Sequence, residues 1–537
     1  MQLNAKGIEN QKEWKAKGYG MPSFDHAEMV GKTLKAPVWI HFGAGNIFRG
    51  FPAMLMQHLL DIGATEKGII VGEGFDYEII DKIYAPHDDI SLLVTLKADG
   101  TIDKTVVGSV AAAYKCDSSF ASEWAVFKKA FASDSLQMVS FTITEKGYGL
   151  KVKDGTYMPF IVADMQNGPE GKLSSMMSKV TALVYHRYLK GKKKLALCSM
   201  DNCSHNGEKL QTAVMAIAQA WVDAGFCEKG FIGYLQKDVS FPWSMIDKIT
   251  PRPDDKVKAM LDADGFSDTT VVVTSKNTYI APFVNAEGPQ YLVIEDDFPN
   301  GRPALEKSGV YFTDRDTVNK VEKMKVCTCL NPLHTALAIY GCLLGYTLIA
   351  DEMKDPQLRK MVETIGYKEG MPVVVNPGII DPKAFIDEVV GKRIPNPFMP
   401  DTPQRIATDT SQKISVRFGE TIKSYAESST LHVKDLTYIP LAIAGWFRYL
   451  LAVDDNGNPM ECSADPMLSE LQEKLKGVKP GDPESLGNRI RPVLSNTVIF
   501  GSDLNALGLG EKIEQMVKEE LAGPGAVRAT LKKYLGT

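Results

Sequence analysis

Short apolar runs alternate with helix-periodic stretches through the first half of the chain. VWIHFG (38–43), GIIVGEG (68–74), QMVSFTIT (137–144) and KLALCSMD (194–201) are nearly continuous apolar runs of strand length. Between them, FPAMLMQHLLDIG (51–63) and EKLQTAVMAIAQAWVDAG (208–225) carry helical periodicity. Strands covered on both faces read as unbroken apolar runs, so the alternation predicts a doubly wound parallel sheet. The pattern changes near 295–315, where EDDFPNGRPALEKSG is polar and rich in turn formers. Beyond it helical periodicity dominates, over 332–349, 356–365, 404–425, 437–453, 466–475 and 510–535. GMPVVVNPG (370–378) and IPNPFMPDTP (394–403) read as extended connections. The expectation is an α/β domain over 1–304 and a mainly helical domain over 305–537.

Composition changes this picture little. The 537 residues exceed one core, and 44% hydrophobic with 24% charged is ordinary for a globular protein. Lys+Arg 61 against Asp+Glu 66 leaves a net charge of −5, which argues against nucleic acid as a partner. The N-terminus MQLNAKGIENQKEWKAKG lacks a basic-then-apolar signal pattern. The apolar runs 335–350 and 436–453 are short or interrupted for a bilayer span, so no membrane role is expected. Eight cysteines without CxxC spacing point to a reduced, cytoplasmic protein. Oligomeric state is not legible.

Candidate chemistry begins at IHFGAGNIFRG (40–50). A strand enters Gly43, Ala44 and Gly45, then Asn46 and Ile47 open an amphipathic helix. Glycines in such a turn let the backbone approach a pyrophosphate, which the helix N-terminus favours. Phe48 stands where a third glycine is usual. Glu73 and Asp76 follow the next strand, where a carboxylate meets a ribose diol and repels a 2′-phosphate. TITEKGY (142–148) puts Thr144, Glu145 and Lys146 at a third strand end as cofactor-side candidates, and SMDNCSHNG (199–207) puts Asp201, Asn202, His205 and Asn206 at a fourth, with Asn206 a candidate to bind substrate. Glu145 and Lys146 equally suit a surface ion pair, and the Asx-rich run equally suits a turn.

In KVCTCLNPLHTALA (325–338), Asn331 and Pro332 look like a helix start, with Asn331 as cap. His334 falls in the first turn, where the helix dipole disfavours its protonated form. A desolvated Lys325 would be a proton shuttle. Cys327, Cys329 and His334, or Cys198, Cys203 and His205, lack a strong zinc spacing, so buried thiols are expected and no metal.

Taken in order, HFGAGNIFRGF, TITEKGY, SMDNCSHNG, VSFPWSMIDKITP (239–251), VIEDDFPNGRP (293–303), VEKMK…LNPLHTALA (321–338) and TDTSQKI (408–414) resemble the long-chain mannitol dehydrogenase family of polyol and uronate oxidoreductases. The resemblance implies a Rossmann-type NAD domain, a helical C-terminal domain, catalysis between them, and no metal. It implies Lys325 as acid/base, Asn202 and Asn331 as holders of the reacting oxygen, His334 as substrate-positioning, and Glu322 as linked to proton movement. It puts Asp247 on the cofactor side. One departure stands out. The family usually has four residues between this lysine and asparagine, whereas VCTCL gives five. On a continuous α-helix one more residue turns the lysine by about 100°. A non-helical join or a π-bulge would restore it, and otherwise Lys323 is the substitute.

Arg393, Arg405 and Lys413 lie where the family has substrate-side residues, and a sugar acid needs a cation for its carboxylate. The expected reaction is NAD-dependent reduction of a keto sugar acid, D-fructuronate to D-mannonate. The competing readings are a polyol dehydrogenase acting on fructose and mannitol, a tagaturonate reductase, and a sugar-acid or nucleotide-binding protein that lost catalysis.

Overall fold

The computed structural model describes residues 1–536, which divide into two compact units at Asn319/Lys320. The first unit is built on a six-stranded sheet: β1 (Trp39–Phe42), β2 (Ile69–Glu73), β3 (Val110–Lys115), β4 (Met138–Phe141), β5 (Leu195–Ser199) and β6 (Val239–Ser240). All pairings are parallel, in the order β3-β2-β1-β4-β5-β6. This is the doubly wound dinucleotide-binding order, with its switch point between β1 and β4. Helices α1 (Asn46–Gly50), α2 (Pro52–Asp61), α3 (Ala121–Ala132), α4 (Met176–Leu189) and α5 (Asn206–Asp223) belong to the same unit. Apolar side chains of the strands feed two buried clusters, as unbroken apolar runs require.

One polar residue inside β1 is accounted for by register. His41 lies opposite Ser140 of β4. Its Nδ1 is 2.6 Å from Ser140 Oγ and its Nε2 is 2.9 Å from Thr142 Oγ1. The ring stacks on Phe48 at 4.2 Å. Burial pushes the imidazole down to about 3, so it stays neutral.

The boundary falls beyond the expected 304/305. The polar stretch there is a folded part of the first unit. Leu305 and Val310 are buried in its core. Tyr311–Thr313 adds a strand parallel to Tyr291–Glu295, and Arg302 pairs with Asp296 and Glu306. Polarity in that stretch reflects ion pairing on a surface strand and turn.

The second unit is helical. A helical stretch of 29 residues, Arg315–Leu343, starts in the last residues of the first unit and is long and apolar enough to cross a membrane by composition, yet 78% of the 18-residue apolar segment within it is buried in the protein. It comprises α6 (Arg315–Lys323), a π-helical turn at Met324–Cys329, and α7 (Asn331–Leu343). Two sequence-predicted helices are broken. The 404–425 stretch divides into α-helix Pro403–Ile406, a 3-10 turn Thr410–Gln412, a π-turn Ser415–Gly419 and α-helix Glu420–Glu427. The 510–535 stretch divides into Gly510–Glu520 and Ala526–Leu535, separated by Gly523-Pro524-Gly525.

Glu352 sits fully buried against Gly341, its carboxylate filling the place a side chain at 341 would take. Neither carboxyl oxygen has a partner among the described residues. Burial first, and then the charge of Asp355, raise its pKa from 4.5 to about 9. The folded state therefore holds a proton that the unfolded chain releases. Stability from this group is complete below about pH 4.5 and lost as pH rises toward 9. Glu352→Gln is expected to be more stable than the parent by about 2–4 kcal/mol at pH 8.5 and nearly equal at pH 4, read by urea melts.

Candidate active site

The first unit gathers its polar groups at the ends of β1, β2, β4 and β5. Gly43 has φ +108, and a Cβ there would lie 2.1 Å from the carbonyl oxygen of Thr142. Only glycine permits this approach between the ends of β1 and β4. Ala44 N donates to Glu73 Oε2 at 2.9 Å, while Glu73 Oε1 accepts from Phe75 N and Asp76 N at 2.9 and 3.1 Å. Burial raises the Glu73 pKa against the pull of those three N–H groups. Glu73 thus fastens the turns after β1 and β2 together. This corrects its expected place on a ribose: its carboxylate is spent on backbone. Asp76 is also buried; its Oδ2 accepts from Thr274 Oγ1 at 2.6 Å, and its Oδ1 has no partner.

Beyond Gly45, where a Cβ would meet nothing within 4 Å, α1 begins without a side-chain cap. Asn46 Oδ1 is buried and unpartnered, Ile47 is half-buried, and Phe48 is buried against His41. A glycine turn at the switch point, open at Gly45 and followed by a spare carboxylate oxygen on Asp76, fits a dinucleotide.

TITEKGY is held by Asp201. Thr144 has φ +64 and ψ 159, a region a β-branched residue strongly avoids. Asp201 accepts from Ile143 N at 2.9 Å, Thr144 N at 2.8 Å and the Tyr148 hydroxyl at 2.6 Å. These charge-assisted bonds offset the strain. Glu145 and Lys146 are exposed, and the ion pair of Glu145 is with Lys209 at 2.7 Å, not with Lys146. Asp201→Ala removes three bonds at once and is expected to destabilise the protein by about 3 kcal/mol in urea melts.

Asn202 is exposed and its side chain makes no hydrogen bond among the described residues. Asn206 is the reverse, and its expected substrate role is corrected. It is fully buried. Its Nδ2 faces Ser199 O, Asp201 O and Ser244 Oγ at 3.0–3.3 Å, and its Oδ1 accepts from Ser244 N at 3.0 Å. It pins the loop after β5. Asp247 is buried at the end of a strand, Ser244–Asp247, that runs antiparallel to Tyr291–Glu295.

In the second unit, Lys325 is buried on the π-turn and Lys323 is exposed. Leu330 N donates to Lys325 O at 3.1 Å, a bond spanning five residues. A π-turn takes up one residue more than an α-turn, so the extra residue of VCTCL is absorbed before Asn331. The cap position is Leu330, one residue earlier than expected, with Pro332 in the first turn. The Asn331 carboxamide is therefore not spent on capping. Glu322 is half-buried on α6.

His334 is surrounded by charge. Burial lowers its pKa to about 4, partly countered by Asp401 and reinforced by Arg417, Arg393 and Arg405. The imidazole is neutral near pH 7, able to donate one hydrogen bond and accept another. Arg393 is buried on another π-turn, Val389–Arg393. Arg405 pairs with Asp401, and Lys413 donates to the Thr408 carbonyl. Arg417 was not singled out in the sequence; it too lies on a π-turn, Ser415–Gly419. A signal existed: Lys413 and Arg417 are like charges four residues apart, a costly pair on a helix unless an anion compensates. Among the described residues no three His, Cys, Asp or Glu side chains converge as a metal site, those of Cys327, Cys329 and His334 included, nor those of Cys198, Cys203 and His205.

Comparison with known proteins agrees with this anatomy. Residues 38–307 match the mannitol dehydrogenase Rossmann domain and residues 317–521 the mannitol dehydrogenase C-terminal domain. The D-mannonate oxidoreductase of Thermotoga maritima is 52% identical over 538 residues, covering 100% of this chain and 99% of that protein. That of Escherichia coli is 28% identical over 495 residues, covering 90% and 91%. The solved mannitol 2-dehydrogenase of Pseudomonas fluorescens, a ternary complex with NAD and D-mannitol, shares the fold at TM-score 0.71 and 24% identity over 100% of both chains. The two matched domains together span most of the sequence, and the chain belongs to the mannitol dehydrogenase family of oxidoreductases.

Proposed function

We propose that this chain interconverts D-fructuronate and D-mannonate with NAD as cofactor. The observation that carries the sugar-acid reading is the set of cations bearing on His334: Arg393, Arg405 and Arg417, with Lys413 beside them. A polyol has no charge to balance such a set, whereas a uronate brings a carboxylate. Full-length similarity to a D-mannonate oxidoreductase supports the same reading. Asp76 beyond β2 favours NAD over NADP, because its carboxylate repels a 2′-phosphate.

NADH, when bound, supplies a hydride to the ketone carbon. Lys325, as ammonium, gives its proton to the oxygen as negative charge develops there, and as neutral amine it takes that proton in the reverse direction. Asn331 donates a hydrogen bond to the same oxygen, and the family pattern gives Asn202 the same task. Neutral His334 orients substrate hydroxyls, and Glu322 relays the proton of Lys325. No step calls for a metal ion. The eight cysteines are not joined in disulfides, which suits a reducing compartment, and we place the enzyme in the cytoplasm.

The test is NADH consumption with D-fructuronate, tagaturonate and fructose in parallel. The reading predicts the highest kcat/KM for D-fructuronate. Turnover of fructose alone would point instead to a polyol dehydrogenase, and NADH binding without turnover to a protein that lost catalysis.

A further inference from the structure

The cations of the second unit are not equivalent. Arg405 is tied to Asp401, Lys413 donates to a backbone carbonyl, and Arg393 already has partners of its own. Arg417 differs. Its Nη1 donates to Thr335 Oγ1 at 2.5 Å, and that hydroxyl donates in turn to Asn331 O at 2.9 Å. The guanidinium is thereby anchored, by a neutral partner, on the first turn of α7 beside His334. Its Nε and Nη2 donate to no acceptor among the described residues, and no carboxylate pairs with it.

We propose that Arg417 recognises the substrate carboxylate, through the Nε and Nη2 edge that its bond to Thr335 leaves open. The assignment rests on the sugar-acid reading and narrows it to one residue. Four features argue for it. A planar fork with two parallel donors matches a carboxylate in a way an ammonium does not. The guanidinium is half-buried, and burial pulls its pKa down to about 10, so an anion there meets little competition from water. Burial first, and then the charge of Arg417, lower the pKa of Lys413, four residues earlier, and a bound anion relieves that repulsion. Its place on a π-turn, Ser415–Gly419, is a costly local geometry that commonly accompanies function. The anchor fixes the fork without neutralising it, as a specificity residue requires.

The experiment measures kcat and KM for D-fructuronate, and NADH binding by fluorescence, in the full-length parent, Arg417→Gln and Arg417→Lys. Arg417→Gln is expected to raise KM about 100-fold, with kcat within about fivefold and NADH affinity unchanged. Arg417→Lys keeps the charge without the fork, and a KM about tenfold above the parent is expected. It also keeps the proposal testable should the glutamine variant not fold. A KM within threefold of the parent in a folded variant overturns the proposal. So does an equal loss of kcat and NADH affinity, which marks a structural role. A parent enzyme that ignores D-fructuronate overturns the sugar-acid reading and this assignment together. A parent that turns it over beside variants of unchanged KM overturns the assignment alone.

Discussion

Lys325→Ala is expected to lower turnover of D-fructuronate by about 10³–10⁴-fold while leaving NADH affinity unchanged. The ketone oxygen gains full negative charge as hydride arrives, and a proton must reach it from a positioned acid. Lys325 is the buried lysine of the π-turn, and the neighbouring Lys323 faces solvent. No second lysine of that segment can replace it. The loss corresponds to about 4–5.5 kcal/mol of transition-state stabilisation. Truncating a buried side chain also costs stability, so the variant is to be compared by thermal melt and NADH titration beside its rate. Near-normal turnover in a folded Lys325→Ala protein refutes the acid/base role.

Deleting Cys327 is expected to leave turnover within about tenfold, whereas inserting one alanine beside it lowers turnover at least 100-fold. The reason lies in the Met324–Cys329 π-turn. It absorbs one residue, so Lys325 keeps its relation to Asn331 despite the five intervening residues. Deletion restores the four-residue spacing usual in the family and lets the segment close as an ordinary α-helix. Insertion has no π-turn left to absorb it and rotates Lys325 by about 100° away from its working direction. A rotation of about 100° of the buried lysine is expected to take it away from an oxygen that Asn331 holds. If deletion and insertion are equally damaging, the π-turn is not what sets the position of Lys325.

Much of the first unit was legible because its strands are covered on both faces. VWIHFG and KLALCSMD became β1 and β5 with almost the expected limits. Strands elsewhere, such as Ser244–Asp247 and Tyr311–Thr313, span only four and three residues and leave little periodicity to read, and the domain boundary moved with the second. The site was legible where a residue type has few uses. A lysine, an asparagine and a histidine at the mouth of an apolar helix ask for a function. It was less legible for Glu73 and Asn206. A carboxylate or carboxamide at a strand end serves a ligand or the orphan N–H groups of its own turn, and only the folded backbone shows which. The π-turns carrying Lys325, Arg393 and Arg417 were hidden for a related reason. Helical periodicity over 404–425 looks continuous in sequence, because one added residue shifts the pattern without erasing it.

The central claim is that this protein moves a hydride between a nicotinamide cofactor and the ketone carbon of a sugar acid. The direct measurement is a single-turnover reaction of the purified enzyme with D-fructuronate and NADH carrying deuterium at the transferable position, followed by NMR of the product. D-Mannonate with one deuterium on the reduced carbon is the predicted result. Unlabelled product, or no product from D-fructuronate while fructose yields labelled mannitol, would contradict the account.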